Sequence, residues 1–365
     1  MRSICSAAVF ALLVVATLTA TSFGILHAQG PAPQNAGKQK VTGYALKKPV
    51  FGGACPTCPW GSIADVVKDA LKPYGWDVQI CYSCAGGATE ARIVAGAAIP
   101  KPPQNSEENL LPTPKGPVDF GATSADFLQG AYLGINDFAN DPEGPRKNLR
   151  MVAFIQQPTY YVVAVKASLG ITDLSEIIKK RLPVKVVAWP RGPRQITAEV
   201  LAYYKLTKEA LESFGGSLTN AYSRDGDVDI MFGFGSLVNA PEYNVWYHAT
   251  QKYDFRYLEL APDLRAKIVK QFYLDEGKLP LGLFRGVDHP VPTIVEKGTV
   301  IYGRDDMPDD FAYTLAKALD EHKELLQWAN GALNYSYNSS NVWKALDIPL
   351  HPGAARYYKQ AGYMK

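Results

Sequence analysis

Two segments that lie far apart in this chain share one design: an apolar run, a loop of glycines and prolines, and a stretch with helical periodicity. The first covers residues 49–62 and leads into a helix predicted at 62–71; the second covers residues 184–195 and leads into a helix predicted at 196–206. A strand that ends in such a loop and opens a helix aims free backbone N–H groups, and the positive end of the helix dipole, at one point. Two such ends, one from each of two lobes, predict a cleft suited to a small anion.

Length and composition favour a folded chain with two lobes. The chain has 365 residues, of which 47% are hydrophobic and 20% charged, which is ordinary for a globular protein with a large core. A net charge of +3 without a dense Lys/Arg run argues against a nucleic-acid partner. The histidines are scattered, and no nucleophile-elbow, phosphate-loop or dinucleotide motif is present, so we do not expect an enzyme.

The N-terminal segment differs from the rest of the chain. In residues 1–28, Arg2 precedes an apolar run at 7–18, and Ala28 offers a small residue for cleavage. This pattern predicts a secretory signal peptide, with an uncleaved anchor as the alternative. Residues 29–42 are polar and contain proline, as expected of a flexible tether. The sequence therefore predicts an exported protein, located in the periplasm or otherwise outside the cytoplasm.

Strand and helix patterns alternate along the chain, which predicts an α/β fold with mostly parallel sheets covered by helices. Ser62 and Asp65 have the spacing of a capping box. Two apparent crossings between lobes predict a hinge, with lobe 1 at 43–158, lobe 2 at 159–294, and a return to lobe 1 with a C-terminal segment at 295–365. The predicted strands are 45–51, 76–82, 118–122, 149–156, 160–165, 184–188, 227–232 and 293–302, and the helices after the first include 89–97, 173–181, 196–206 and 307–326.

Four of the five cysteines form two C-x2-C pairs, Cys55 with Cys58 and Cys81 with Cys84. In an exported protein, disulfides that lock the first two loops together are expected, and four cysteines allow three connectivities. Four thiolates around a zinc ion are a second possibility. A third is thiol–disulfide exchange at Cys55 and Cys58, which precede a helix. The sequence leaves these three open.

Two arginines flank the start of the second helix. Arg191 and Arg194 could each grip a carboxylate through two parallel N–H donors, with the helix end adding to the attraction. The alternative is that they are solvated or pair with a nearby acid such as Glu199. We take them as candidate ligand-binding residues.

Further candidates lie at the other helix starts and turns. Ser62, Gly86, Gly87 and Thr89 could supply hydroxyl and backbone N–H donors to an anion, or serve only as turn and capping residues. Ser124 is a candidate ligand contact, and Asp126 a capping acid or a partner for a ligand amine. Trp189 and Phe234, like Trp60 and Tyr160, could form an apolar wall of the cleft or pack in the core.

Several short segments carry a family resemblance. They are Trp60-Gly61-Ser62, the loop at 85–90, the strand and helix start at 118–126, and Asp227-Val228-Asp229. With the order of elements around them, they make residues 45–330 resemble the TAXI family, the solute receptors of a class of TRAP transporters.

The resemblance implies a two-lobe periplasmic-binding-protein fold of type II that captures a small carboxylate, an amino acid or an organic acid such as glutamate or 2-oxoglutarate. It implies delivery of that ligand to the membrane permease subunits of a TRAP transporter, without catalysis and without a cofactor. The ligand-facing role falls on the loop before Ser62, the Gly86-Gly87 loop and the turn before Ile196. The cysteine pairs and the bulky basic turn at 189–194 depart from the family pattern. The alternative is an exported metal-binding or thiol-redox protein that uses the C-x2-C pairs on the same fold.

Overall fold

The computed structural model describes most of the chain. Residues 1–41, which contain the predicted signal peptide and nearly all of the tether, lie outside the described part. No helix within that part is both long enough and apolar enough to cross a membrane. The described residues are 42–55, 58–84, 88–97, 117–188, 194–224, 226–236, 244–329, 337–344 and 346–365.

Helices and strands alternate over much of this part. The helices are α1 Thr42–Ala45, α2 Pro59–Leu71, α3 Ala88–Val94, α4 Ala125–Leu133, α5 Ser175–Lys179, α6 Arg194–Tyr203, α7 Lys208–Ser213, α8 Asn244–Lys252, α9 Pro262–Phe272, α10 Asp309–Glu321, α11 Lys323–Ala329 and α12 Pro352–Gln360. The strands are β1 Val50–Gly52, β2 Gln79–Ile80, β3 Phe120–Ser124, β4 Leu149–Lys166, β5 Lys185–Ala188, β6 Ser217–Thr219, β7 Ile230–Gly235, β8 Phe255–Tyr257, β9 Asp275–Leu279 and β10 Val291–Arg304.

All ten described strands belong to one mixed sheet with the order β2-β1-β3-β10-β4-β7-β5-β6, with β8 on β4 and β9 on β10. Strands β1, β2 and β3 are parallel to one another, as are β5, β6 and β7. The two long strands β4 and β10 are antiparallel and lie between these sets. The predicted α/β class, with parallel strands and covering helices, is confirmed.

The two parallel sets point towards each other. Strand β10 runs antiparallel to both β3 and β4, so β3 and β4 run in the same direction. Strand β7 runs antiparallel to β4, so it runs the opposite way. Thr299 of β10 pairs with both Ser124 and Ile155, so the end of β3 is level with Ile155 of β4. The last residue of β7, Gly235, pairs with Tyr160, so the end of β7 is level with Tyr160. The carboxyl ends of the two sets therefore face each other across a segment of β4 about 17 Å long.

The buried apolar side chains separate in the same way. Two clusters draw on residues 44–155 and 300–358, and two others draw on residues 161–294. We call the part around the first two clusters lobe 1 and the part around the other two lobe 2. Each lobe has one cluster on either face of the sheet, which is how a parallel sheet buries both of its faces. Phe311 is central to lobe 1, with ring contacts to Tyr44, Trp76 and Phe120.

Several predicted boundaries are wrong, each for a local reason. The first strand begins at Val50 rather than at 45, because α1 covers Thr42–Ala45 and Lys47 turns the chain with φ 53°. The two strands predicted at 149–156 and 160–165 are one strand, since β10 pairs with β4 from Leu149 to Tyr160, across the predicted gap, with register irregularities at Glu296/Gly298 and Ile301/Tyr302. The helix predicted at 307–326 is interrupted at His322 between α10 and α11.

Helix α2 also starts earlier than predicted. Cys58 is its N-cap and Pro59 its first residue, a position where proline's missing N–H costs nothing. Ser62 therefore lies inside the helix, and the predicted capping box with Asp65 is wrong. Asp65 instead accepts a hydrogen bond from the Tyr82 hydroxyl at 3.3 Å.

Candidate functional site

The loop after β1 approaches β3 closely on its way to α2. Gly53 has φ +88°, and a Cβ atom there would lie 2.0 Å from the carbonyl oxygen of Ala122. Only glycine combines this left-handed conformation with so close an approach. The loop therefore packs against the middle of β3 before α2 begins, and α4 begins directly after β3.

Trp60 ties the first turn of α2 to the crossing strand β10. Its indole Nε1 donates to the hydroxyl Oγ1 of Thr299 at 3.0 Å. Thr299 is paired in register with Ser124, the last residue of β3. Trp60, Thr299 and Ser124 therefore meet at the place where the carboxyl ends of the lobe 1 strands face lobe 2.

Ser124, the last residue of β3, carries a buried hydroxyl group. Its side chain is 6% exposed, and its Oγ makes no hydrogen bond of ordinary geometry. Ser124 has the extended backbone of an N-cap for α4, but its side chain does not cap the helix. A hydroxyl has one donor and two acceptor positions, so a ligand atom could still bond to Ser124 beside its contact with the Asp126 carboxyl group.

Asp126, in the first turn of α4, is a buried carboxyl group. Burial raises the pKa of Asp126 to about 6, and the negative charge of Asp137 acts in the same direction. The nearby hydroxyl of Ser124 and the backbone amides of Asp126 and Phe127 oppose this shift. The Ser124 hydroxyl is therefore close enough to favour the carboxylate electrostatically, although it does not form a regular hydrogen bond with it.

Lobe 2 presents the start of α6 to the same region. Gln195, in the first turn of α6, donates from Nε2 to Oδ1 of Asp137 in lobe 1 at 2.6 Å. The second helix start singled out in the sequence thus lies next to lobe 1. Arg194 is the first residue of α6, but its side chain, like Trp189 and Arg191, lies outside the described residues.

The structure places the remaining candidates differently. Gly86 and Gly87 lie outside the described residues, and of Thr89 only the backbone, in the first turn of α3, is described. Ser62 is half-buried in α2. The Phe234 ring is 3% exposed and packs edge to face against Tyr161, with ring centroids 5.3 Å apart. The carbonyl of Phe234 accepts a hydrogen bond from Trp246 Nε1 at 2.7 Å, which fixes the end of β7 in the core of lobe 2.

The four cysteines form two local disulfides, Cys55–Cys58 and Cys81–Cys84. The prediction of disulfides is confirmed, but the prediction that they lock the two loops together is wrong, because each bond closes within its own motif. Cys81 and Cys84 are fully buried. Across the described residues, no group of three or more His, Cys, Asp or Glu side chains is placed to hold a metal ion.

Sequence reasoning missed three residues at this site: Thr299, Asp137 and Gln195. Thr299 belongs to a strand far along the chain from Trp60, and nothing local shows which hydroxyl its indole would meet. Asp137 lies in a short 3-10 turn, Asn136–Phe138. Gln195 stood next to the predicted arginines, and its place in the first helical turn could have singled it out.

The chain belongs to the NMT1-like family, whose profile matches residues 88–362. Among solved structures it is similar to MatC (Rpa3494) from Rhodopseudomonas palustris with bound malate, at 12% identity over 77% of this chain and 86% of that one, with a TM-score of 0.40. It is also similar to an ABC uptake transporter substrate-binding protein from Streptococcus pneumoniae with bound histidine, at 12% identity over 78% and 92% of the two chains, with a TM-score of 0.36. These are distant likenesses, and no residue role is transferred from them.

Proposed function

We propose that this protein is an extracytoplasmic solute receptor that captures a small carboxylate in the cleft between its lobes. The observation that carries the proposal is the opposition of the two parallel strand sets, whose carboxyl ends face each other across β4 and β10. Helices α2 and α4 of lobe 1 and α6 of lobe 2 start at these ends. Crevices at the carboxyl ends of such strands are where α/β proteins place their ligands.

The finer assignment is to the TAXI type of receptor, which would deliver the ligand to the permease subunits of a TRAP transporter. Its support is the sequence resemblance over residues 45–330, together with the predicted signal peptide at 1–28 and tether at 29–42. A periplasmic receptor needs no catalytic group, and we assign none. An amino acid or an organic acid such as glutamate or 2-oxoglutarate is the expected ligand class.

Within the cleft we assign the ligand contacts to both lobes. Ser124 would bond to the ligand through its buried hydroxyl. Arg191 and Arg194 would grip the carboxylate from lobe 2, since a guanidinium and a carboxylate can form two parallel hydrogen bonds. The remaining proposed contacts are the donors at Ser62, Gly86, Gly87 and Thr89 and the apolar surfaces of Trp189 and Phe234.

Closure of the lobes would follow from the way they are connected. Lobe 1 and lobe 2 are joined by β4 and β10, and one of the two register irregularities of this pair, between Glu296 and Gly298, lies between the two sets of cores. A ligand that contacts both lobes binds the closed arrangement more tightly than the open one. The difference between the two binding free energies sets how far the population shifts towards the closed arrangement. The closed form is then the species that a permease would recognise.

A thermal-shift screen tests the proposal, with amino acids, 2-oxo acids, dicarboxylates and aromatic acids as the panel. A ligand at a hundred times its Kd adds about 2.7 kcal/mol of stability, so one acid class should raise the Tm clearly.

Arg194→Ala should weaken binding by about 1.5–3 kcal/mol, which is the contribution of a charge-assisted hydrogen bond. Ser124→Ala should weaken it by about 1 kcal/mol.

Two matched controls come from exposed positions of α7 in lobe 2. Lys208→Ala removes a positive charge, and Ser213→Ala removes a hydroxyl, and neither should change ligand affinity. No Tm shift with any acid, in protein shown to carry no co-purified ligand, would contradict the proposal. Equal affinity in the arginine variant and the wild type would remove Arg194 from the site.

A metal-binding or thiol-redox role is the alternative, and the bonding of the cysteines weighs against the metal-binding role. Both pairs are disulfides, which leaves no thiolate for a zinc ion. In the denatured, unreduced protein from which residues 1–28, with Cys5, have been removed, we expect no free thiol to react with an alkylating reagent, and no stoichiometric zinc in elemental analysis. Four reactive thiols with one zinc per chain would instead establish a metal site at Cys55, Cys58, Cys81 and Cys84.

A further inference from the structure

A short turn of lobe 1 reaches lobe 2 at two points. The 3-10 turn Asn136–Phe138 follows α4. Asn136 donates from Nδ2 to the backbone carbonyl of Gln271 in α9 at 3.0 Å. The next residue, Asp137, accepts from Nε2 of Gln195 in α6 at 2.6 Å. Two adjacent side chains of lobe 1 thus bond to two different helices of lobe 2.

The turn is held firmly within its own lobe. Arg92 of α3 donates to the backbone carbonyl of Asp137 at 2.9 Å and to the carboxylate of Asp141 at 2.8 Å. Its guanidinium also lies 4.8 Å from the centre of the Phe138 ring, which is buried. Asn136 has φ +54°, a left-handed conformation that asparagine tolerates better than most residues. The two polar side chains are therefore presented by a preorganised support.

The contact is also sheltered from water on one side. Phe127 and Phe138 of lobe 1 and Phe272 of lobe 2 line a small cavity together with Asp126, Asn136 and Asp137. Hydrogen bonds beside apolar surface are stronger than the same bonds in open water, because the local dielectric is lower. These two bonds can therefore influence the balance between open and closed lobes.

We propose that Asn136 and Asp137 form a latch that holds lobe 2 against lobe 1 and sets the affinity for the ligand. The latch acts on α6, the helix whose first residue is Arg194, and so fixes the start of that helix over the cleft. Asn136 and Asp137 are positioning residues: they act through α6 and α9 and need not touch the ligand. This inference rests on the proposed receptor function for its effect on affinity, but not for its effect on shape.

The test is a charge change across the Asp137–Gln195 bond. Gln195→Glu replaces the donor amide by a carboxylate that faces Asp137, with Asp126 close by, and like charges at this distance repel. We expect a larger radius of gyration by small-angle scattering without ligand and an affinity about tenfold weaker for the acid found in the screen. The double variant Asp137→Asn/Gln195→Glu restores a donor–acceptor pair and should return both quantities towards the wild-type values.

The matched control is Gln251→Glu, the same chemical change at an exposed position of α8 in lobe 2. It should alter neither the radius of gyration nor the affinity. If Gln195→Glu also alters neither, or if Asp137→Asn fails to rescue it, there is no latch. Expansion of the free protein without any ligand in the panel would support the latch and contradict the receptor function, so the two failures are distinguishable.

Discussion

Replacement of Gly53 by alanine should destabilise the protein by about 2–6 kcal/mol. The new methyl group would lie 2.0 Å from the carbonyl oxygen of Ala122, a backbone atom that cannot move without shifting β3. The alanine would also have to keep a φ of +88°, a backbone conformation that residues with a Cβ atom rarely adopt. Steric strain and backbone strain each contribute about 1–3 kcal/mol. Urea denaturation of Gly53→Ala and wild type measures the sum.

Gly144→Ala separates the two contributions. Gly144 has φ +69°, but a Cβ atom there would have nothing within 4 Å. Its replacement should therefore cost only the conformational part, about 1 kcal/mol. If both variants lost the same small amount of stability, the close approach of the β1–α2 loop to β3 would be wrong, and with it the position of the first helix start at the cleft.

Asp141→Ala should destabilise lobe 1 by about 3–5 kcal/mol. The Asp141 side chain is 1% exposed and accepts two hydrogen bonds, at 2.8 and 2.9 Å, from one nitrogen of the Arg146 guanidinium, whose side chain is 6% exposed. Arg146 also contacts Glu143, which is mostly exposed. Removal of Asp141 leaves the buried Arg146 guanidinium without its main counter-charge. An uncompensated buried charge is strongly destabilising, so this loss should lower the free energy of unfolding markedly. Chemical denaturation provides the measurement.

The control for this variant is an exposed ion pair. Asp310 and Arg356 lie 2.8 Å apart, with side chains 93% and 46% exposed. Asp310→Ala should cost at most about 1 kcal/mol, as is usual for ion pairs in water. Equal losses in the two variants would show that the Asp141 network is solvated and not part of the buried framework.

The same carboxylate should contribute to stability in a pH-dependent way. Burial alone would raise the pKa of Asp141, but hydrogen bonds from Arg146 and Arg92 outweigh it and lower the pKa to about 2. A carboxyl group with a lowered pKa in the folded state stabilises the fold above its unfolded pKa of about 4. That contribution is lost as the pH falls from about 4 to about 2, so the stability of Asp141→Ala should fall less over this window than that of wild type.

The class of fold could be predicted from the sequence because the signals for strands, loops and helices are local. Strand, loop and helix signatures repeat along the chain, and their alternation is enough to indicate parallel strands covered by helices. Long-range pairing was not predictable in the same way. The continuity of β4 through 157–159 depends on its partner β10. The early start of α2 is a different case, because Cys58 and Pro59 act locally and the predicted capping box at Ser62 misplaced the helix start.

The candidate site was predicted less completely than the fold. Ser124 and the start of α6 lie at the edges where the two lobes meet, as the strand–helix pattern indicated. The hydrogen bond between Trp60 and Thr299 and the contacts of Asn136 and Asp137 join residues distant in sequence, and no local pattern marks such partners. The cysteine spacing indicated bonding but could not decide between local and crossed pairs, since both satisfy the same motif.

We propose that a small carboxylate binds between the lobes and closes them. Small-angle scattering of the purified protein, titrated with the acid that raises its Tm, measures this closure. We expect the radius of gyration to fall in step with saturation, and Arg194→Ala to shift this transition to higher ligand concentration. A radius of gyration that stays constant while calorimetry shows saturation would contradict it.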